Sequence, residues 1–188
     1  MTLENHPYQF VKHLFKKEGA IFSFSKYIYT PDSLFDERQV IKIDSFKINS
    51  DWLEDMLHSL AEKQELAINS SVIIKNRKYH IPMIDFMCKR LSGTDIFDRM
   101  RYYLPHKVIA NMAIYHSGTS YHAYSNTLIS PKEWLEFMYR LLLVNRAHEE
   151  ELIDSRWIAH RLMGGYGSLR WSNNTALYKG SPTRIQYP

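Results

Sequence analysis

Cysteine is nearly absent from this sequence, with Cys88 alone among 188 residues. One thiol excludes an internal disulfide and any zinc site built on cysteines. No apolar run approaches the roughly 20 residues needed to cross a bilayer. The N-terminal MTLENHPYQF lacks the apolar region of a signal peptide. These absences predict a soluble protein of a reducing compartment, the cytoplasm, with no membrane partner. Glycine and proline are sparse, at seven each, and no repeat, low-complexity run or Pro/Gly-rich linker is visible. Neither a Walker loop nor a GxGxxG occurs, so the common phosphate-cradling folds lack support. The 45% hydrophobic and 23% charged residues exclude a disordered or collagenous chain. A chain of this length buries roughly 70% of its unfolded surface, enough for a core without staples.

Acidic residues are missing from two long stretches, Arg99 to Lys132 and Ser155 to Pro188. The second carries five cations (Arg156, Arg161, Arg170, Lys179 and Arg184) interleaved with Trp157, Tyr166, Trp171, Tyr178 and Tyr187. With a net charge of +4 and 14% aromatics, that mixture suits phosphates and stacked bases. A basic face balanced by acids elsewhere is an equally weighted alternative.

The chain reads as one domain, with residues 1–66 as its N-terminal part and 67–188 as its core. Helical spacing covers Ser50 to Glu65, with Ser50 as cap. Ser70–Lys75 and Lys78–Met87 read as a hairpin turning at Asn76-Arg77, with Pro82 favouring an edge or a bulge. A short helix is expected from Thr94 to Leu104, capped by Thr94 or Asp95 and ended by Pro105. Strands are expected at Val108–Tyr115 and Tyr121–Ser125, around an SGTS turn. Ser130 to Val144 is a helix with a capping box at Ser130 and Glu133. Its apolar face is Trp134, Leu135, Phe137, Met138, Leu141 and Leu142. A further helix runs from Ser155 to Met163, stopped by Gly164-Gly165. Short strands follow at Leu169–Trp171 and Arg184–Tyr187. Hairpins alternating with helices predict an α+β fold, a mainly antiparallel sheet flanked by helices.

Three residues could carry chemistry. Asp85 lies near the end of the apolar run HIPMIDF, where a carboxylate is costly unless it is paired or binds a cation. His122 follows the Ser/Gly turn in YHSGTSYHAY and can donate to a phosphate oxygen. Ser117 and the amides of Gly118 and Thr119 would add donors in a small anion nest. Asp154 ends EEELID and could share Mg²⁺ or Mn²⁺ with Asp85, since hard cations take carboxylate and phosphate oxygens. Each residue also has a structural alternative. Asp85 could pair with Lys89 or Arg90, His122 could be an ordinary strand histidine, and Asp154 suits a helix cap.

SGTSYHAY resembles the second motif of the archaeo-eukaryotic primase, or primase-polymerase, superfamily. In that family a Ser-Gly turn leads to a strand histidine that contacts the nucleotide. Met83-Ile84-Asp85-Phe86-Met87 stands where the family has its first acidic motif, and Leu152-Ile153-Asp154 where it has its third. Gly167-Ser168-Leu169-Arg170-Trp171-Ser172 and then Lys179 match the basic stretch that follows. The resemblance covers about residues 68–188. It implies a primase-polymerase (RRM-like) core, with Asp85, His122 and Asp154 catalytic and Asp85 and Asp154 holding the metal. It implies that Ser117, Gly118, His122, Arg170 and Lys179 bind the nucleotide. The first motif departs from the family pattern, because Phe86 and Met87 leave Asp85 as its one acid. Asp95, Asp98 or an acid from residues 1–66 could complete the site.

The implied function is a metal-dependent nucleotidyltransferase that makes or extends a short nucleic-acid primer from nucleoside triphosphates. Its partners would be single-stranded or primed nucleic acid and, for a chain this short, a replication or helicase protein. The alternative is a degenerate primase-like module that binds nucleic acid or a partner without making product. A metal-dependent nuclease ranks last, because D-x-D and H-x-H clusters are lacking. Tyr121, Tyr124 and Trp171 could stack on bases or belong to the core.

Overall fold

A computed structural model describes residues 3–91 and 94–185, with Thr94 and Asp95 described in backbone only. In chain order the elements are α1 (Tyr8–Phe15), β1 (Ala20–Ile28), β2 (Arg38–Asp44), α2 (Ser50–His58), β3 (Gln64–Ile74), β4 (Arg77–His80) and β5 (Met83–Phe86). Then come α3 (Thr94–Tyr103), α4 (His106–Ile109), β6 (Met112–His116), β7 (Tyr121–Ser125), α5 (Pro131–Val144), α6 (Ser155–Gly164), β8 (Ser168–Arg170) and β9 (Thr183–Arg184). The class is α+β, as the alternation of hairpins and helices predicts.

The strands divide into two sheets. One has the order β2-β1-β3-β4, with β8 also pairing β3; the other has the order β5-β7-β6-β9. Every pairing is antiparallel. Pro82 lies between the sheets. The chain leaves the first at His80 and enters the second at Met83, because proline has no N–H to extend a ladder. β1 lies between β2 and β3, so residues from the first third of the chain build the centre of the larger sheet. One apolar cluster runs through both sheets, from Val11 and Phe22 to Ile84, Phe137 and Trp171.

Several boundaries differ from the sequence expectation. Helix α2 stops at His58, and its cap is Asn49, whose side chain accepts from the Trp52 amide. The helix formers of Ala61–Glu65 do not prolong it, because β1 recruits Gln64 onward into β3, and sheet pairing outweighs a weak propensity. The β3–β4 turn falls one residue earlier, on Lys75 and Asn76. Both have positive φ, +47° and +61°, as a tight hairpin turn demands. Val108 belongs to α4, which starts after Pro105, so the strand begins only at Met112. Helix α5 keeps its capping box, but Leu135 and Leu142 are exposed; its buried stripe is narrower than its apolar one. The expected caps at Thr94 or Asp95 and the Gln186–Tyr187 part of the last strand lie outside the described residues. Among the described residues no helix is long and apolar enough to cross a membrane.

Candidate functional site

Strand β5 places Asp85 directly across from His122 on β7. His122 Nε2 is 3.5 Å from Asp85 Oδ1. Asp154 reaches the same place through a short strand-like contact. Phe86 bridges Ile153, the Met87 amide donates to the Leu152 carbonyl, and the Asp154 amide donates to the Asp85 carbonyl at 3.0 Å. Asn145 holds that approach, its Oδ1 accepting from the amides of Leu152 and Ile153. The alternative role of Asp154 is also realised: its Oδ1 accepts from the Trp157 amide at 2.8 Å and caps α6. Among the described residues no ion pair joins Asp85 to Lys89 or Arg90. All three residues line one cavity of about 360 Å³.

This corner of the cavity stabilises neutral forms. Burial, then the neighbouring Asp154 charge, pushes the Asp85 carboxyl well above its usual range, with Arg170 opposing. Burial, then Arg170, pushes His122 well below its usual value. His122 Nδ1 is buried without a hydrogen-bond partner.

The β6–β7 turn forms beside them. The Ser117 amide donates to the Ser120 carbonyl, and the two hydroxyls lie 3.1 Å apart. Gly118 has φ +111°, and a Cβ there would sit 3.1 Å from the Lys179 amide nitrogen, so only glycine fits beneath the C-terminal segment. The Gly118 amide is taken by His116 Nδ1, which leaves Ser117, Thr119 and Ser120 as the turn residues lining the cavity. Arg170 is buried on β8. It donates to the Ser117, Ser172 and Gly180 carbonyls, and its guanidinium lies 3.7 Å from the Tyr178 ring centre. It therefore ties the turn to the C-terminal segment at the cavity wall. Lys179 is exposed and, with Gly118, is not part of the lining.

A family model described as archaeo-eukaryotic primase 1D-like (AEP-like) matches residues 45–183. The chain belongs to this family. No curated protein and no solved structure gives a match. The family match agrees with the resemblance read from SGTSYHAY, and it begins at Ser45, within the N-terminal part that the motifs left unread.

Asp85 and Asp154 line this cavity together with two acids from residues 1–66, Asp32 and Asp36, the latter already paired with arginines. Among the described residues no group of three or more His, Cys, Asp or Glu is arranged to hold a metal. Asp98 pairs with Arg101 away from the cavity, and the Asp95 side chain lies outside the described residues. Asp85 and Asp154 alone would not form a closed protein cage; a hard cation held by them would keep waters and phosphate oxygens as its other ligands.

The sequence reading also missed another part of the cavity lining. Arg38 donates to both oxygens of Asp36 at 2.9 Å and to the Ser168 hydroxyl at 3.0 Å, and it covers the Tyr27 ring. Arg161, fully buried on α6, pairs with the same Asp36 carboxylate. Arg161 and the polarity of the tail were visible in the sequence. Asp36 and Arg38 were not, because nothing local marks a loop that folds back across more than a hundred residues. Of the three aromatics that could stack on bases or belong to the core, Tyr124 and Trp171 are fully buried in the core and cannot stack on a base, while Tyr121 is half-buried.

Proposed function

We propose that this primase-like chain is a metal-dependent nucleotidyltransferase of primase-polymerase type. It would join nucleoside triphosphates into, or onto, a short primer on single-stranded or primed nucleic acid, in the cytoplasm and with a replication or helicase partner. The observation that carries the reading is the convergence of Asp85, His122 and Asp154, from three separate segments, on one cavity. Its size falls within the range of small-molecule sites.

Asp85 and Asp154 would hold Mg²⁺ or Mn²⁺. A divalent cation there offsets triphosphate charge and stabilises the charge that builds up during in-line displacement. Asp85 must give up its proton to take that role, so nucleotide binding with the cation tightens as pH rises. His122 stays neutral. With Nδ1 unpartnered and Nε2 toward Asp85, the less costly tautomer carries the proton on Nε2, which is then the donor offered to a phosphate oxygen. Ser117 offers a hydroxyl from the turn. The N–H groups of Arg170 are committed to carbonyls, so Arg170 contributes its positive field and the position of the turn. Lys179 lies outside the cavity, where a nucleic-acid phosphate could meet it. In the reaction a 3′-oxygen forms a bond to the α-phosphorus, the bond to pyrophosphate breaks, and the hydroxyl proton leaves to solvent.

The degenerate alternative is favoured by one observation: among the described residues no group of three or more His, Cys, Asp or Glu is arranged to hold a metal. Incorporation of labelled nucleotide with Mg²⁺ or Mn²⁺ decides between the two. Asp154→Asn keeps a competent helix cap but removes the charge, and incorporation should fall at least about a hundredfold with the melting temperature retained. His122→Ala should weaken nucleotide binding. Wild-type synthesis by both variants contradicts the assignment. Salt-sensitive nucleic-acid binding by the wild type without product selects the degenerate module.

A further inference from the structure

Beyond Asp85 and His122, the cavity has a second charged feature. Arg38 and Arg161 are both poorly accessible, with side chains 10% and 3% exposed, and they share the one carboxylate of Asp36. Two guanidinium groups on one carboxylate leave a surplus positive charge in a desolvated wall. They also leave Arg161 Nε buried without a partner. Paired guanidinium groups match a phosphate as well as a carboxylate, and a phosphate brings more charge and more acceptor oxygens. Arg38 also bonds Ser168, two residues before Arg170 on β8. The pair therefore belongs to the same wall as the field that acts on Asp85 and His122.

Asp36 arrives on the β1–β2 connection, residues 29–37, which has little apolar anchorage. Leu34 and Phe35 are 71% and 79% exposed. Apart from the Asp36 pairs, Arg156 ties it to the body by donating to the Ser33 carbonyl at 2.8 Å. We propose that Arg38 and Arg161 form a phosphate-binding site and that Asp36 is its built-in competitor, which an incoming phosphate oxyanion displaces together with the 29–37 segment. This rests on reading the cavity as a phosphate site and adds a second position to it. The oxyanion comes from a nucleotide polyphosphate or from a nucleic-acid backbone.

The test is calorimetric titration of inorganic tripolyphosphate, without divalent cation, into wild type and Asp36→Asn. Removing the competitor should tighten binding roughly tenfold, because the closed state no longer lowers the competent fraction. A parallel titration with a short single-stranded oligonucleotide identifies the source: a gain for tripolyphosphate alone assigns the site to nucleotide, and a gain for the oligonucleotide alone assigns it to backbone. Unchanged or weaker binding of both probes by folded Asp36→Asn overturns the proposal. Hydrogen exchange on the wild-type protein needs no variant. The amides of residues 29–37 should exchange faster when tripolyphosphate is bound, and unchanged or slower exchange overturns the proposal as well. If primer synthesis fails while the Asp36→Asn gain persists, only the proposed activity falls. If synthesis holds without that gain, only the role of Asp36 falls.

Discussion

The Asp85 end and the Asp36 end of the cavity each carry a carboxylate in a poorly solvated wall, and they are stabilised by opposite means. Asp85 faces a histidine and a second acid, and burial with the Asp154 charge pushes its carboxyl well above the usual range toward the protonated form. Asp36 faces two guanidinium groups and answers by pairing. A proton-managed group makes stability depend on pH, while a partner-managed group makes it depend on the partner. The difference also separates functions. A carboxyl that gives up its proton only when a cation arrives is poised for a metal, and a carboxylate already seated on arginines stands in for a ligand.

The largest expected effect comes from the groups that burial holds neutral. His6, whose Nε2 donates to the Trp171 carbonyl while its Nδ1 accepts from the Tyr8 amide, is lowered by burial to about 4, and His80 is lowered to about 3. The unfolded chain takes up these protons near 6.5, so the stability they contribute is full above that pH and is lost as pH falls toward the folded values. Urea unfolding at pH 5 should show a loss of about 2 kcal/mol for each relative to pH 7, with His122 acting in the same direction. Asp85 acts the other way and masks part of the loss, since its raised value makes stability fall as pH rises above the ordinary carboxylate range. Equal unfolding midpoints at pH 5 and 7 would break this side of the comparison.

On the partner-managed side, Asp36→Ala strands two buried arginines. It should cost about 2–3 kcal/mol, less than a fully buried pair because Asp36 is 26% exposed. Tripolyphosphate should restore part of that loss in a thermal melt. The smallest effect has the opposite sign. Asp85→Asn removes a carboxyl whose ionisation the fold opposes, so it should stabilise the protein at pH 8, with the gain shrinking as pH falls into the ordinary carboxylate range. Destabilisation by Asp85→Asn at pH 8 would mean that Asp85 is held as a structural anion and that the contrast with Asp36 is false.

Local rules carried much of this molecule. The Ser130 capping box and the SGTS turn between paired strands were legible, because each rests on neighbours within a few residues; the strand around Asp85 was legible only in part, since the expected hairpin arm Lys78–Met87 is divided at Pro82 and its second half pairs β7 in the other sheet. Residues 1–66 were less so. β1 alternates poorly, since both its faces are covered, and its identity as a central strand depends on β2 and β3. Of the site, the sequence order pointed to Asp85, His122 and Asp154. The engagement of Arg170 by carbonyls and the Arg38–Asp36–Arg161 cluster arise only from long-range closure. Tyr124 and Trp171 illustrate the same limit, because an aromatic near a motif reads alike whether it faces a cavity or the core.

The central claim is that Asp85, His122 and Asp154 form one receptor for a cation-bound triphosphate. Crystals soaked with Mn²⁺ and a non-hydrolysable nucleoside triphosphate test it most directly through the anomalous signal of the metal. The account predicts a manganese peak between the carboxylates of Asp85 and Asp154, with phosphate density within reach of His122 Nε2. Triphosphate bound elsewhere, or manganese touching neither acid, would contradict it.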